Sequence, residues 1–170
     1  MNDLIAPHGG LSSPVNRTVS SDRAAAFEKE AASLPALPVS DADLSSVYRI
    51  GDGGLSPLIG LMVQEEYEQV LRDGNITRNG KKYAWTIPIS LPMNKDQAGA
   101  VKPGTKVRLT NSAGATVGTL AVQSVWPWDK AAYIKGVYQT DRTDHPGGKM
   151  VMTDPREMLA HLNRGAEHGR

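Results

Sequence analysis

Gly51-Asp52-Gly53-Gly54-Leu55-Ser56-Pro57-Leu58-Ile59-Gly60-Leu61-Met62 is a stretch that neither a regular helix nor a regular strand would select. Its glycines permit positive φ and close backbone approach, while Pro57 fixes φ and drives Ser56 out of the helical region. Leu55, Leu58 and Met62 add apolar anchors. The segment reads as a packed, irregular corner around which the neighbouring elements must fit.

Upstream of the corner, residues 4–19 hold Pro7-His8-Gly9-Gly10 and Ser12-Ser13-Pro14, which predict an extended, turn-rich arm. Ser21 is placed to cap a helix whose body, Ala24 to Ala32, is rich in helix formers and ends before Pro35. Pro35 and Pro38 bracket an extended link. Ser40 or Asp41 then caps a second helix, with Leu44, Val47 and Tyr48 at helical spacing. Downstream, Gln64 to Asp73 forms a third helix on the stripe Tyr67, Val70 and Leu71, closed by Gly74.

The period then changes from helical to alternating. Lys81 to Leu91 reads as a strand with Tyr83, Trp85, Ile87, Ile89 and Leu91 on one side, and Pro88 marks it as an edge or a bulge. Lys106 to Thr110 and Ala115 to Val125 are strands joined at Asn111-Ser112-Ala113-Gly114. Asp129 to Tyr138 reads as a helix entered through Trp126-Pro127-Trp128. His145-Pro146-Gly147-Gly148 reads as a tight turn, Lys149 to Met152 as a last strand, and Asp154-Pro155 as the cap of a helix through Leu162.

These elements predict an α+β domain on a small open β-barrel with several short flanking helices. The expected organisation is an extended arm over 1–20, a body over 21–150, and a C-terminal helix with a polar tail over 151–170. The 170 residues suit one domain, and 39% apolar content with 17 Gly and 11 Pro predicts a modest core and much loop. A formal charge of +1 does not favour a polyanionic partner, so RNA is not the expected ligand. Without cysteine there is no disulfide, thiolate nucleophile or Cys-ligated zinc. The first residues show no signal-peptide pattern and no window is apolar enough to span a membrane, so a cytoplasmic chain without a membrane partner is expected.

No stretch completes a catalytic pattern. Asp144 to Met150 contains Gly-Lys but lacks the upstream glycine and the hydroxyl of a phosphate loop. The corner begins like a dinucleotide fingerprint, but no strand precedes it and Ser56 replaces the third glycine. Pro57 and Leu58 break the likeness of Gly54 to Leu58 to a nucleophile elbow, leaving Ser56 as a structural serine. His8, His145, His161 and His168 have no metal-ligand spacing, and no metal is expected. Trp126, Trp128 and Tyr133 can stack bases, but core packing is the preferred reading. Arg78, Lys81 and Lys82 read as a solvated hairpin end.

The order of short motifs carries more than any one of them. Pro7-His8-Gly9-Gly10 is similar to the P-H-G-G opening of ATP sulfurylases (sulfate adenylyltransferases). Gly53 to Met62 resembles that family's G-x-F-S-P-L-x-G-F-M signature, through Gly54, Ser56, Pro57, Leu58, Gly60 and Met62, with Leu55 and Leu61 in place of phenylalanine. Trp85 to Leu91, with Pro88, resembles W-P-I-P-I-x-L. Asp129-Lys130 follows in order, and Thr140-Asp141 with His145-Pro146-Gly147 resembles G-T-x-D-x-x-H-P-G, with Gln139 in place of the first glycine and Gly148 where valine is common. The resemblance covers roughly residues 4–150 and does not extend past Met150.

The resemblance implies a PUA-like N-terminal domain. It also implies the reaction of the whole enzyme, in which sulfate attacks the α-phosphorus of ATP to give adenylyl sulfate and pyrophosphate. In that family the chemistry resides in the next domain, through motifs like Q-x-R-N-P-x-H and H-x-x-H, and neither motif occurs here. No catalytic residue is therefore carried over, and no cofactor is expected in this chain, since ATP and sulfate would bind the catalytic domain. The expected partner is that catalytic domain or another subunit. An RNA-binding or regulatory PUA-like module standing alone is the alternative.

Overall fold

The structure is a computed structural model and describes residues 5–163; the expected polar tail and His168 lie outside the described residues. Among the described residues it contains six α-helices, seven strands and one 3-10 turn, divided between two compact units.

The first unit takes in the chain up to Gly60, residues 103–123 and the segment from Leu162. A 3-10 turn at Ser21–Arg23 leads into α1 (Ala24–Ala32), and residues 5–20 before it form no helix or strand. β1 (Ala36–Pro38) pairs parallel to β5 (Lys106–Thr110) with Leu37 opposite Leu109, both buried. Pro38, without an N–H, is tolerated at this edge. β5 pairs antiparallel to β6 (Thr116–Pro127) with Val107 opposite Leu120, and Asn111 closes the turn by accepting from the Ala113 and Ala115 N–H groups. α2 (Asp41–Gly51) starts where Ser40 Oγ accepts from the Asp43 N–H at 3.2 Å. It buries Leu44 and Ile50. Tyr48, expected on its inner stripe, is exposed, and Ile50 is the second buried side chain of the helix instead.

The second unit takes in residues 61–102 and 124–161. α3 (Gln64–Asp73) buries Tyr67 and Val70 and ends at Gly74 in the left-handed conformation, as its sequence predicts. β2 (Asn75–Arg78) and β3 (Lys81–Ala84) form a hairpin across Asn79-Gly80, both with positive φ, the signature of a primed turn. β4 (Leu91–Met93) pairs antiparallel to β7 (Met158–Asn163), which also neighbours β6. α4 (Lys95–Ala100) has a full capping box between Asn94 and Gln97. α5 (Lys130–Tyr138) and α6 (Pro146–Thr153) complete the unit.

Three expected elements differ. The strand expected over Lys81 to Leu91 stops at Ala84 because its partner runs out: the Trp85 N–H makes the last ladder bond, to the carbonyl of Gly74, which is already the left-handed cap of α3, and Pro88 has no donor for a ladder. Ile87, expected inside, is 51% exposed. His145-Pro146-Gly147-Gly148 is not a free turn but the cap and first turn of α6, so Lys149 to Met152 is helical rather than extended. The final helix expected after Asp154-Pro155 is instead β7, whose Leu159, Ala160, His161 and Leu162 are all buried. A four-residue buried run cannot be told from a buried helix by its period alone.

Candidate functional site

The corner and the arm meet in the first unit. Ser56 Oγ donates to the Gly53 carbonyl at 2.6 Å and accepts from the Val15 N–H at 2.8 Å. The Arg17 N–H donates to the Gly51 carbonyl at 2.6 Å. The Ser56–Pro57 peptide is cis. Gly9 has φ +83° and lies so close to the Pro57 ring that a Cβ there would stand 2.3 Å from Pro57 Cγ. Pro7 and His8 thus lead the chain to a glycine that only a glycine can fill. Gly54 accepts no such close neighbour; its N–H donates to Asp52 Oδ1 at 2.9 Å. Leu58 is buried, and Gly60 bridges to Asn163 with a would-be Cβ only 2.8 Å from Asn163 Oδ1. The hydroxyl of Ser56 is therefore engaged on both sides by backbone and pins the arm to the corner.

The remaining signature residues lie in the second unit. Met62 is buried, its N–H donates to the Ile89 carbonyl at 2.8 Å, and Pro88 is buried beside that link. The Trp85 indole N–H donates to the Ile87 carbonyl at 2.8 Å. Asp129 caps α5 by accepting from the Ala132 N–H at 2.9 Å, and Lys130 donates to the Asp154 carbonyl while its ammonium lies 5.3 Å from the Trp128 ring centre. Thr140 Oγ1 accepts from the Arg142 N–H at 3.2 Å, and Asp141 is exposed. His145 Nδ1 accepts from the Gly147 N–H at 3.2 Å, Pro146 opens α6, and the Tyr138 ring covers Gly147.

The same unit holds a chain of aromatic rings. Tyr67 meets Trp126 edge-on at 5.9 Å and stacks with Tyr133 at 6.4 Å; Tyr133 meets Trp128 at 5.8 Å and Tyr138 at 6.4 Å; Tyr138 meets His145 at 5.1 Å. Trp126 therefore packs on Tyr67, and Trp128 and Tyr133 on each other, in the geometries that ring quadrupoles favour. Burial pushes the Tyr133 phenol up to about 12 and the Tyr67 phenol higher still, with the neighbouring phenols adding to the rise and Trp128 weakly opposing it at Tyr67. Both stay neutral and unsuited to base chemistry near neutral pH.

Sequence reasoning missed the polar group beside the rings. His161 on β7 is buried, and burial lowers its imidazole below the ordinary range against the opposing charge of Glu66. Glu66 is itself paired with Arg78, which is thus half-buried in an ion pair and not simply a solvated hairpin end. Asp154 is held below the usual carboxylate range: burial alone would raise it, but Arg156, and after it Lys130, outweigh that cost. Among the described residues, no three His, Asp or Glu side chains converge as metal ligands. None of their helices is long and apolar enough to cross a membrane. What the arrangement does is pin loops and helix ends.

Comparison with known proteins agrees with this geometry. The family described as PUA-like domain matches residues 5–160. The chain is 45% identical over 159 residues to the sulfate adenylyltransferase of Pyropia yezoensis, covering 94% of this chain and 36% of that protein. It is 37% identical over 151 residues to that of Microcystis aeruginosa, covering 89% and 38%, and 37% identical over 141 residues to that of Staphylothermus marinus, covering 83% and 35%. The chain thus spans little more than a third of the curated relatives it matches. A hexameric APS kinase from Thiobacillus denitrificans shares the fold with a TM-score of 0.66 at 22% identity, covering 98% of this chain and 28% of that one. The chain belongs to the PUA-like domain family, in the form that sulfate adenylyltransferases carry.

Proposed function

We propose that this chain is the non-catalytic PUA-like part of a sulfate adenylyltransferase and supports a catalytic domain or a subunit interface. The observation that carries this is the coverage: 94% of the chain matches the Pyropia yezoensis enzyme, yet that match is only 36% of the enzyme. Adenylyl transfer needs cationic and hydrogen-bonding groups preorganised around developing phosphate charge. The basic side chains described above are committed elsewhere, with Arg78 on Glu66, Arg156 on Asp154 and Arg142 on Asp144. ATP and sulfate would then bind the catalytic domain, in the cytoplasm, and the signature residues of this chain would hold the supporting fold in shape. Thr140, Asp141 and the exposed loop around them lie at its surface.

A chimera tests the reading. The corresponding part of the Pyropia yezoensis enzyme is replaced by this chain, and sulfate-dependent release of pyrophosphate from ATP is measured. Activity within about tenfold of the parent is expected. A chimera that is folded and assembled like the parent but inactive would contradict the supporting role.

A further inference from the structure

His145 is exposed, yet it is built into the start of α6. Its Nδ1 accepts the Gly147 N–H at 3.2 Å, and its own carbonyl accepts the Lys149 N–H at 2.8 Å. The turn so capped is tightly seated. A Cβ on Gly147 would lie 2.5 Å from the Tyr138 ring, and one on Gly148 would lie 2.8 Å from the Arg142 carbonyl. Because Nδ1 is the acceptor, the ring proton of the neutral imidazole sits on Nε2.

This cap differs from the Ser40, Asn94 and Asp129 caps of α2, α4 and α5 in one chemical respect. A hydroxyl, amide or carboxylate oxygen accepts at any pH near neutral, but an imidazole accepts only while it is neutral. Protonation turns Nδ1 into a donor facing another donor, and sets a positive charge at the positive end of a helix dipole. The groups around the ring offer the cation another place. Asp144 precedes it, with a carboxylate held low chiefly by Arg142 and further by attraction to His145. Arg142 shares that carboxylate and competes for it. The Tyr138 ring, 5.1 Å away, favours a cation over its face and keeps the imidazole nearby. Asp141 and Lys149 are the other charged groups on the loop and helix, and both are exposed.

We propose that His145 is a protonation-controlled cap of α6: the neutral ring holds the first turn closed on Gly147, and the protonated ring releases Gly147 and turns towards Asp144. The helix under this control presents Met150 and Met152 to solvent, 74% and 46% exposed, so acidification would loosen the base of an apolar surface. The inference does not depend on which protein the domain supports.

Amide and ring resonances of the full chain, followed by nuclear magnetic resonance from pH 8 to pH 5, test it. The Gly147 amide proton is expected to move upfield as its bond is lost, with the same midpoint as the carbon-bound ring protons of His145. In His145→Asn, whose side-chain carbonyl accepts at every pH in the range, the Gly147 amide is expected to stay at its high-pH position. In His145→Ala it is expected at the released position even at pH 8. A Gly147 amide that stays still while His145 titrates would overturn the proposal. So would an Asn variant that titrates like the parent.

Discussion

Ser56 and Gly60 show how much of the corner rests on single atoms. Ser56→Ala removes the donor to Gly53 and strands the Val15 N–H, which costs about 1–3 kcal/mol when a group is left unpaired. Gly60→Val drives a side chain against Asn163 Oδ1 and the Leu162 carbonyl, an overpacking worth about 1–3 kcal/mol. For a chain of this size each kcal/mol lowers the thermal midpoint by about 2–4 °C. Both variants are expected to melt lower, read by circular dichroism, and unchanged midpoints would remove the corner's structural role. His161 gives a pH signature of its own. Its folded imidazole lies below the unfolded value, so the unfolded chain binds a proton that the folded one refuses. Stability from this site is full above a pH of about 6.5 and is lost as the pH falls towards the folded value. Melting curves at pH 8 and pH 5.5 should show a smaller acid-induced drop for His161→Gln than for the parent. An equal drop in both proteins would contradict it.

At the scale of elements, α3 and α5 meet at a glycine. A Cβ on Gly136 would lie 2.8 Å from the Leu71 carbonyl and 2.9 Å from its Cβ, whereas a Cβ on Gly99 in α4 meets nothing within 4 Å. Helix propensity favours alanine over glycine by about 0.8–1.0 kcal/mol at either site. At Gly136 the clash with backbone, about 1–3 kcal/mol, outweighs that gain. Gly136→Ala should therefore lower the midpoint and Gly99→Ala should raise it; the same sign in both would refute the packing argument. The sequence made the helices legible where caps and apolar stripes agree, as at Ser40 and in Tyr67, Val70 and Gly74. It made the strands less so. Lys81 to Leu91 alternates like one strand, but its partner strand begins only after the helix cap at Gly74 and Pro88 lacks an N–H, so the pairing ends early. Leu159 to Leu162 carries no period at all, because both faces of β7 are buried. The Asn79-Gly80 turn was a readable signal of the β2–β3 hairpin. Partners distant in sequence, such as Arg78 with Glu66 or Gly9 with Pro57, were not readable, because no local pattern encodes them.

At the scale of the molecule, the signature residues identify a fold more clearly than a chemistry. Each of the two units spends its polar side chains on pinning loops: Ser56 between arm and corner, and Asp129, Lys130 and His145 at the starts of α5 and α6. On the proposed reading, a chain arranged in this way supports a catalytic domain and does not itself transfer an adenylyl group. The direct test is the release of pyrophosphate from ATP, with and without sulfate, by the purified 170-residue chain at micromolar concentration, with a full-length sulfate adenylyltransferase as the positive control. The account predicts no sulfate-dependent release above the protein-free blank. Sustained, sulfate-dependent turnover that rises in proportion to the amount of chain would contradict it.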